Sequence, residues 1–241
     1  MKKIFARAKR AFDFIRYGLL TLRLAGPRIA LRNLRHQLYS RTVFLRLTRP
    51  LGIPCPPSSS KYVVEHASPE DMAEFFNKVH GETKEGRHQL LVRKWFYEHG
   101  FHNCYITRTS DTNEMCTIRW MITSQDIIKI GWENRFPKLK EDEVLLDNVY
   151  TLERFRRKGA QHTSIYQLGE ILQSQGFRRL ISYVAEDNIP SLKAVKKQGN
   201  QVFERVLERH VLFHVTRKTI ERFDPPIPIP IPQEREESEA E

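Results

Sequence analysis

The 241 residues predict an α/β (α+β) protein: a mixed, mostly antiparallel sheet flanked by helices, preceded by a basic helical N-terminal extension. Three observations carry this. Residues 143 to 184 read as strand, basic glycine-containing turn, helix and strand, a β-α-β unit. Apolar runs of strand length bounded by turn residues lie on either side of it. The charge is segregated: the chain carries a net +11, yet residues 1 to 60 hold 13 Lys or Arg against the single acid Asp13, which leaves the remainder close to neutral.

The extension comes first. Phe5, Phe12, Ile15, Leu19 and Leu22 recur at helical spacing with Arg7, Lys9, Arg10, Arg16 and Arg23 between them, a basic amphipathic helix. Its longest uncharged stretch, Tyr17 to Leu22, falls far short of the ~20 apolar residues a spanning helix needs. Four roles stay open for residues 1 to 50: lying in an anionic membrane surface, docking on the domain or a second subunit, directing mitochondrial import, or, least favoured, gripping nucleic acid. Pro50, Pro54, Pro56, Pro57 and Ser58 to Ser60 then read as a linker, which sets the domain boundaries at 1–60, 61–223 and 224–241.

Within 61–223, Lys61 to Ala67 suits a strand, and Ser68 with Glu70 and Asp71 starts a helix that carries Met72, Phe75, Phe76 and Val79. A second helix is expected over Gln89 to Glu98. Cys104 to Thr107 and Met115 to Thr123 form an antiparallel pair turning at Asp111, Thr112 and Asn113. Ser124 to Asp142 exceeds a hairpin's needs and reads as an acceptor lid or a packed excursion. Glu143 to Leu152 is the strand entering the basic turn. Ile165, Leu168 and Leu172 mark the helix after it, which Gly176 ends; Leu180 to Val184 is the next strand. Asn188 caps a further helix through Gln198, with Pro190 in its first turn and Gly199 as its stop. Val202 to Leu207 and Val211 to Arg217 complete the sheet. From Asp224, prolines alternating with Ile favour an extended spacer over a polyproline ligand for an SH3-like or WW-like partner, ending in the acidic, disordered tail Glu234 to Glu241.

The chemistry concentrates at residues 156 to 161. A helix's first turn has N–H groups without intrahelical partners and partial positive charge, so an anion fits there. Arg156, Arg157 and Lys158 add formal charge, and Gly159 lets the backbone approach a bulky phosphate. Cys55, Cys104 and Cys116 form neither a paired framework nor a metal spacing, so reduced thiols in a reducing, cytoplasmic compartment are expected, and no metal.

At Arg156, Gly159 and the preceding Phe155, followed by Asn188, Ser191 and Gly199, the chain resembles the GNAT superfamily of acyl-CoA-dependent N-acetyltransferases. It departs from the family pattern at Gln161, where Gly or Ala is usual, at Asn200, where Phe is usual, and at Val195, where a Tyr often protonates the leaving thiolate. The resemblance implies a GNAT-like sheet, with acetyl-CoA or another acyl-CoA as donor substrate. Its pantetheine would pair along Val149, Tyr150 and Thr151, splayed from the neighbouring strand. The pyrophosphate would rest on Arg157, Lys158, Gly159, Ala160 and Gln161 beside Arg156, with Asn188 and Ser191 on the other side. The activity it implies is N-acyl transfer by direct attack of an amine in a ternary complex, with Asp147 as candidate base. The other reading is a catalytically weak CoA-binding or recruitment module held at a membrane or polyanion. Small amine, amino sugar, aminoacyl lipid and protein N-terminus are all compatible acceptors.

Overall fold

The structure is a computed structural model that describes residues 16–53, 61–131, 136–212 and 214–231. In chain order the elements are the described part of α1 (residues 16–25), α2 (Pro27–Leu38), β1 (Tyr39–Pro50), β2 (Tyr62–His66), α3 (Pro69–Asn77), α4 (Lys84–Glu98), β3 (Cys104–Thr109), β4 (Met115–Ile122), α5 (Ser124–Ile130), β5 (Glu143–Thr151), α6 (Ala160–Ser174), β6 (Arg179–Ala185), α7 (Ile189–Lys197), β7 (Gln201–Val211) and β8 (His214–Pro228). Eight strands form one sheet in the order β2-β3-β4-β5-β6-β1-β7-β8. Only β5 and β6 run parallel among these pairs; the other neighbours are antiparallel.

The largest departure from the sequence reading is β1, which lies inside residues 1–60, read above as extension and linker. It pairs with β6 from Phe44–Ala185 to Pro50–Arg179 and with β7 from Tyr39–Val211 to Thr48–Gln201, a central position in the sheet. The alternation of Val43, Leu45 and Leu47 with Thr42, Arg46 and Thr48 is that of a strand. Leu45 and Leu47 are fully buried with Val184, Leu192, Val195, Val202 and Ile229, each worth about 1.5–3 kcal/mol of apolar burial. Of the three arginines in this strand, two are absorbed individually. Buried Arg49 donates from Nε to the Gln198 carbonyl at 2.6 Å and lies 4.8 Å from the Tyr166 ring centre. Arg46 pairs with Glu204 at 3.0 Å and stacks over Phe203 at 4.8 Å.

The boundary at 223 shifts as well. β8 continues to Pro228 and Ile229 is buried. Pro225, Pro226 and Pro228 fit because β8 is the edge strand, where a missing N–H costs no ladder bond. Elsewhere the elements begin near where local chemistry places them. Ser68 and Asp71 form a reciprocal capping box at α3, and Thr83 caps α4, which starts five residues before the expected Gln89. The segment 124–142 is in part a helix, α5, with its own capping box of Thr123 and Asp126; Phe136 packs on Phe101 at 5.4 Å. The Pro/Ser stretch 54–60, the helix positions before Arg16, the centre of the 124–142 segment at 132–135 and the acidic tail fall outside the described residues.

Helices lie on both faces. Met72, Phe75, Leu90 and Phe96 of α3 and α4 meet Ile106, Ile118, Trp120, Leu145 and Ile181 on one face. Ile165, Leu168 and Leu172 of α6 meet Val144 and Leu180 on the other, beside the β1–α7 cluster.

Candidate active site

The parallel pair β5–β6 stays in register only from Glu143–Arg179 to Leu146–Ser182, although β5 runs on to Thr151 and β6 to Ala185. Beyond Leu146 the two strands part, and each keeps its other neighbour: β5 pairs with β4 through Thr151, and β6 with β1 through Ala185. A wedge-shaped gap thus opens in the middle of the sheet.

The cause sits at Asn148. It has a φ of 51°, and the β4–β5 register shifts by one residue between Ile118–Tyr150 and Trp120–Asp147, a bulge on β5. The carbonyls that the bulge frees are taken by Arg93 of α4. Its Nε donates to Asn148 O at 2.9 Å and its Nη2 to Val149 O at 2.7 Å, while Nη1 holds the backbone and side chain of Gln89. Burial lowers the Arg93 pKa to about 10, with Asp147 and Tyr150 opposing that shift. Arg93 was not singled out from sequence, because a strand's need for a side-chain partner leaves no local pattern.

Of the three strand positions expected along the donor arm, each does something different. The Val149 carbonyl belongs to Arg93. The Tyr150 side chain is buried, donating to Glu82 at 2.5 Å, with Arg93 and Arg156 over its ring. Leu152 N–H donates to Cys116 O, so strict alternation turns the Thr151 N–H and carbonyl away from β4 and into the gap. That carbonyl accepts from Arg156 Nε at 3.2 Å. Gly86 is needed opposite this corner: a Cβ there would stand 2.7 Å from Tyr150 Oη and 2.9 Å from carboxylate oxygens of Glu82 and Glu153.

After a short 3-10 turn, Glu153–Phe155, the chain reaches the expected cradle. Arg157 has a φ of 63° and Gly159 one of 87°, and α6 begins at Ala160 with no side chain capping it. Thr163 N–H returns to Gly159 O, and no described hydrogen bond takes the N–H groups of residues 157 to 162. Arg156, Arg157, Lys158 and Gly159 are exposed, and a Cβ at Gly159 would meet nothing within 4 Å. Tyr62 Oη holds the Lys158 carbonyl at 2.8 Å from below. The result is an open set of unpaired donors at a helix start, flanked by three cations.

Beneath α6 lies Arg119 of β4, fully buried and also missed from sequence. It donates from Nη2 to Ser164 Oγ, which itself donates to the Gln161 carbonyl at 3.3 Å. No carboxylate pairs with it among the described residues, its Nε has no partner, and burial lowers its pKa to about 10. The structure therefore keeps a cation in the core next to the first two turns of α6.

The other predicted residues separate. Asn188 is exposed at the start of α7, and its Oδ1 accepts from Ser191 N at 3.3 Å, the capping role read from sequence. Val195 is buried in the β1–α7 core, so this position supplies no proton to any cleft. Asp147 is half-buried at the opening of the gap, on the sheet face of Leu145 and Trp120. Its oxygens accept from the N–H and side-chain amide of Asn148 at 2.8 and 3.3 Å. Burial raises its pKa above the ordinary carboxylate value, Glu208 adding to the rise, while the Asn148 bond, Arg93 and Arg217 oppose it. A carboxylate poised this way, with no close ion pair among the described residues, can accept a proton. A recess of about 330 Å³ lined by Leu51, Gln173 and Phe177 lies at the far end of α6 and takes no part in this arrangement.

No family model and no curated protein matches the chain. Solved structures do. The GCN5-related glucosamine N-acetyltransferase region of a fungal multi-domain GH3 beta-N-acetylglucosaminidase superposes with a TM-score of 0.53 at 14% identity, over 79% of this chain and 23% of that one. A GCN5-related N-acetyltransferase from Sphaerobacter thermophilus gives 0.49 at 13% identity, over 81% and 57%. The chain thus spans less than two thirds of the length of either. By its strand order, its parted parallel pair and its likeness to the fungal glucosamine N-acetyltransferase region, the chain has the GNAT acetyltransferase fold.

Proposed function

We propose that the protein is an N-acyltransferase that moves an acetyl or other acyl group from acyl-CoA to an amine. The observation that carries the reading is the pairing of an opened strand gap with an uncapped, cation-flanked helix start directly after the same strand. A donor of this class joins a thioester arm, which needs backbone partners in a slot, to a diphosphate, which needs clustered N–H groups. The residues present fit both ends: Thr151 N–H faces the slot, and the amides of 157–161 stand open beside Arg156, Arg157 and Lys158.

When bound, the donor supplies a carbonyl carbon to an attacking amine. The chain's part is to orient and to handle the proton. Thr151 N–H offers a fixed dipole in the gap, the kind of preorganised donor that stabilises developing negative charge. Arg93 keeps that strand rigid by saturating the bulge carbonyls. Asp147 is the group placed to take the amine's proton. Holding the reactants together supplies a further share of the rate through positioning.

The test uses the full-length protein with acetyl-CoA and longer acyl-CoAs against a panel of amines, reading free thiol and melting temperature. A raised melting temperature with amine-dependent thiol release supports the reading. Stabilisation without turnover on any amine would instead indicate a CoA-binding recruitment module. If no acyl-CoA shifts the melting temperature, neither reading stands.

A further inference from the structure

Helix α2 turns its apolar stripe outward. Leu31, Leu34 and Leu38 recur three and four residues apart and are exposed, Leu31 at 56%, and the helix has no buried residue at all. Its contacts with the domain are polar instead. Arg32 pairs with Glu85 at 2.7 Å, Asn33 reaches His88 Nε2 at 3.0 Å, and the His36 ring packs at a tilt against His210 of β7, centres 4.7 Å apart. The described part of α1 repeats the pattern. Thr21 and Ala25 are buried and Tyr17 donates to Glu98 at 2.5 Å, while Leu19 (62%) and Leu22 face solvent. Both helices are thus moored to α4 and present leucines on the side away from it. At the end of α2 the surface continues. Leu212 N–H donates to Leu38 O at 2.9 Å, and Leu212 and Tyr39 are 66% and 74% exposed.

The segment that carries these leucines holds charge of one sign. Residues 16 to 41 contain six arginines and no acid. Arg16 and Arg32 face Glu98 and Glu85, whereas Arg23, Arg28, Arg35 and Arg41 are exposed and in no ion pair among the described residues. A second copy of the chain seated on this surface would bring arginines against arginines. A nucleic acid would use the arginines and leave the leucines in water. An anionic bilayer satisfies both, taking apolar side chains at the headgroup boundary and cations at the phosphates.

We infer that α1, α2 and the Tyr39–Leu212 corner form a surface on which the folded domain lies against an anionic phospholipid leaflet. No helix among the described residues is long and apolar enough to cross a membrane, so docking is parallel to the surface. The inference stands apart from acyl transfer, since its leucines and arginines are none of the residues of the strand gap or the helix start and it needs no donor.

The experiment is sedimentation of the full-length protein with vesicles of phosphatidylcholine alone or mixed with phosphatidylglycerol, comparing wild type with the double variant Leu31→Glu, Leu34→Glu. Both leucines are exposed, so the melting temperature should hold. Binding is expected only to the mixed vesicles, weakening as salt is added, with the double variant losing about tenfold or more of its partitioning. Equal partitioning of variant and wild type would place any membrane affinity on residues 1–15 and overturn the inference. So would equal binding to neutral vesicles, no vesicle binding with a dimer that the double variant splits, or an oligonucleotide bound in preference to vesicles and indifferent to the leucines.

Discussion

Substituting Gly159 tests the cradle directly, because the structure separates strain from charge at this position. Gly159 has a φ of 87° and a ψ of −8°, so any other residue there takes a left-handed conformation. Alanine should cost about 1 kcal/mol, or roughly 2–4 °C for a chain of this length, and no steric clash is added since the Cβ site is open. Glutamate carries the same strain and adds a carboxylate beside the open amides. At about 6 Å, with an effective dielectric constant between about 20 and 80, each unit of repulsion amounts to about 0.7–2.8 kcal/mol. A diphosphate presents about two such units, so CoA should bind Gly159→Glu at least ~10-fold more weakly than Gly159→Ala. The assay is calorimetric titration of CoA into wild type and both variants, at low and high salt, with ligand-free melting curves alongside. The gap between the two variants should narrow as salt rises. Equal affinities for Ala and Glu would refute the reasoning: the diphosphate would then not lie at this helix start.

Other outcomes follow from the same structure. A chain beginning at residue 61 loses β1 and should not fold, and Leu45→Ala or Leu47→Ala in the full chain should each cost about 2–5 kcal/mol by urea denaturation. Arg119→Met removes a buried cation with no counter-ion among the described residues, so ligand-free stability should hold or rise while CoA affinity falls; parallel losses of both would mean the arginine is merely structural. Because the folded-state pKa of Asp147 is raised, ionising it costs native stability as pH climbs through the unfolded and then the folded value. Asp147→Asn should therefore gain on wild type between acid and neutral pH, and amine-dependent turnover should lose its acidic limb; an unchanged pH–rate profile would remove Asp147 as the base. Cys104 and Cys116 are fully buried with thiol pKa values pushed up, that of Cys116 to about 11, so native protein should leave both unreacted toward a thiol reagent near pH 8.

The parts of this molecule legible in the sequence are those written in local chemistry. The Ser68–Asp71 box, the strand–turn–helix at 143–174 and the Asn188 cap each depend on residues within a few positions of one another. What the sequence hid depends on distant partners. β1 carries Arg41, Arg46 and Arg49 among its apolar residues, and in a segment of such one-sided charge they read as a solvated arm; only Glu204 of β7, the Gln198 carbonyl after α7 and the Tyr166 ring of α6 make the latter two tolerable in a sheet. Arg93 and Arg119 were invisible for the same reason, being two of 40 basic residues until the carbonyls of Asn148 and Val149 and the hydroxyl of Ser164 are placed against them. The outward leucines of α2 are the opposite case. Their spacing is that of a core-facing stripe, and only the polar anchors Arg32, Asn33 and His36 show which side packs.

The position of β1 also bears on why the gap stays open. A strand such as β6, with unpaired groups along one edge, would ordinarily draw in whatever extended chain lies nearby. Here β1 saturates the far edge of β6 through Ala185, and the Glu186 N–H goes on to the Val43 carbonyl, so β6 is fixed from that side. On the near side, the β5 carbonyls that could close the wedge are held by Arg93 and Arg156. Closing the wedge would require breaking those charge-assisted bonds, each worth about 1.5–3 kcal/mol, for ordinary ladder bonds of roughly 1 kcal/mol. The open slot is therefore the lower-energy arrangement of these strands, and the donor arm proposed above would meet it preformed.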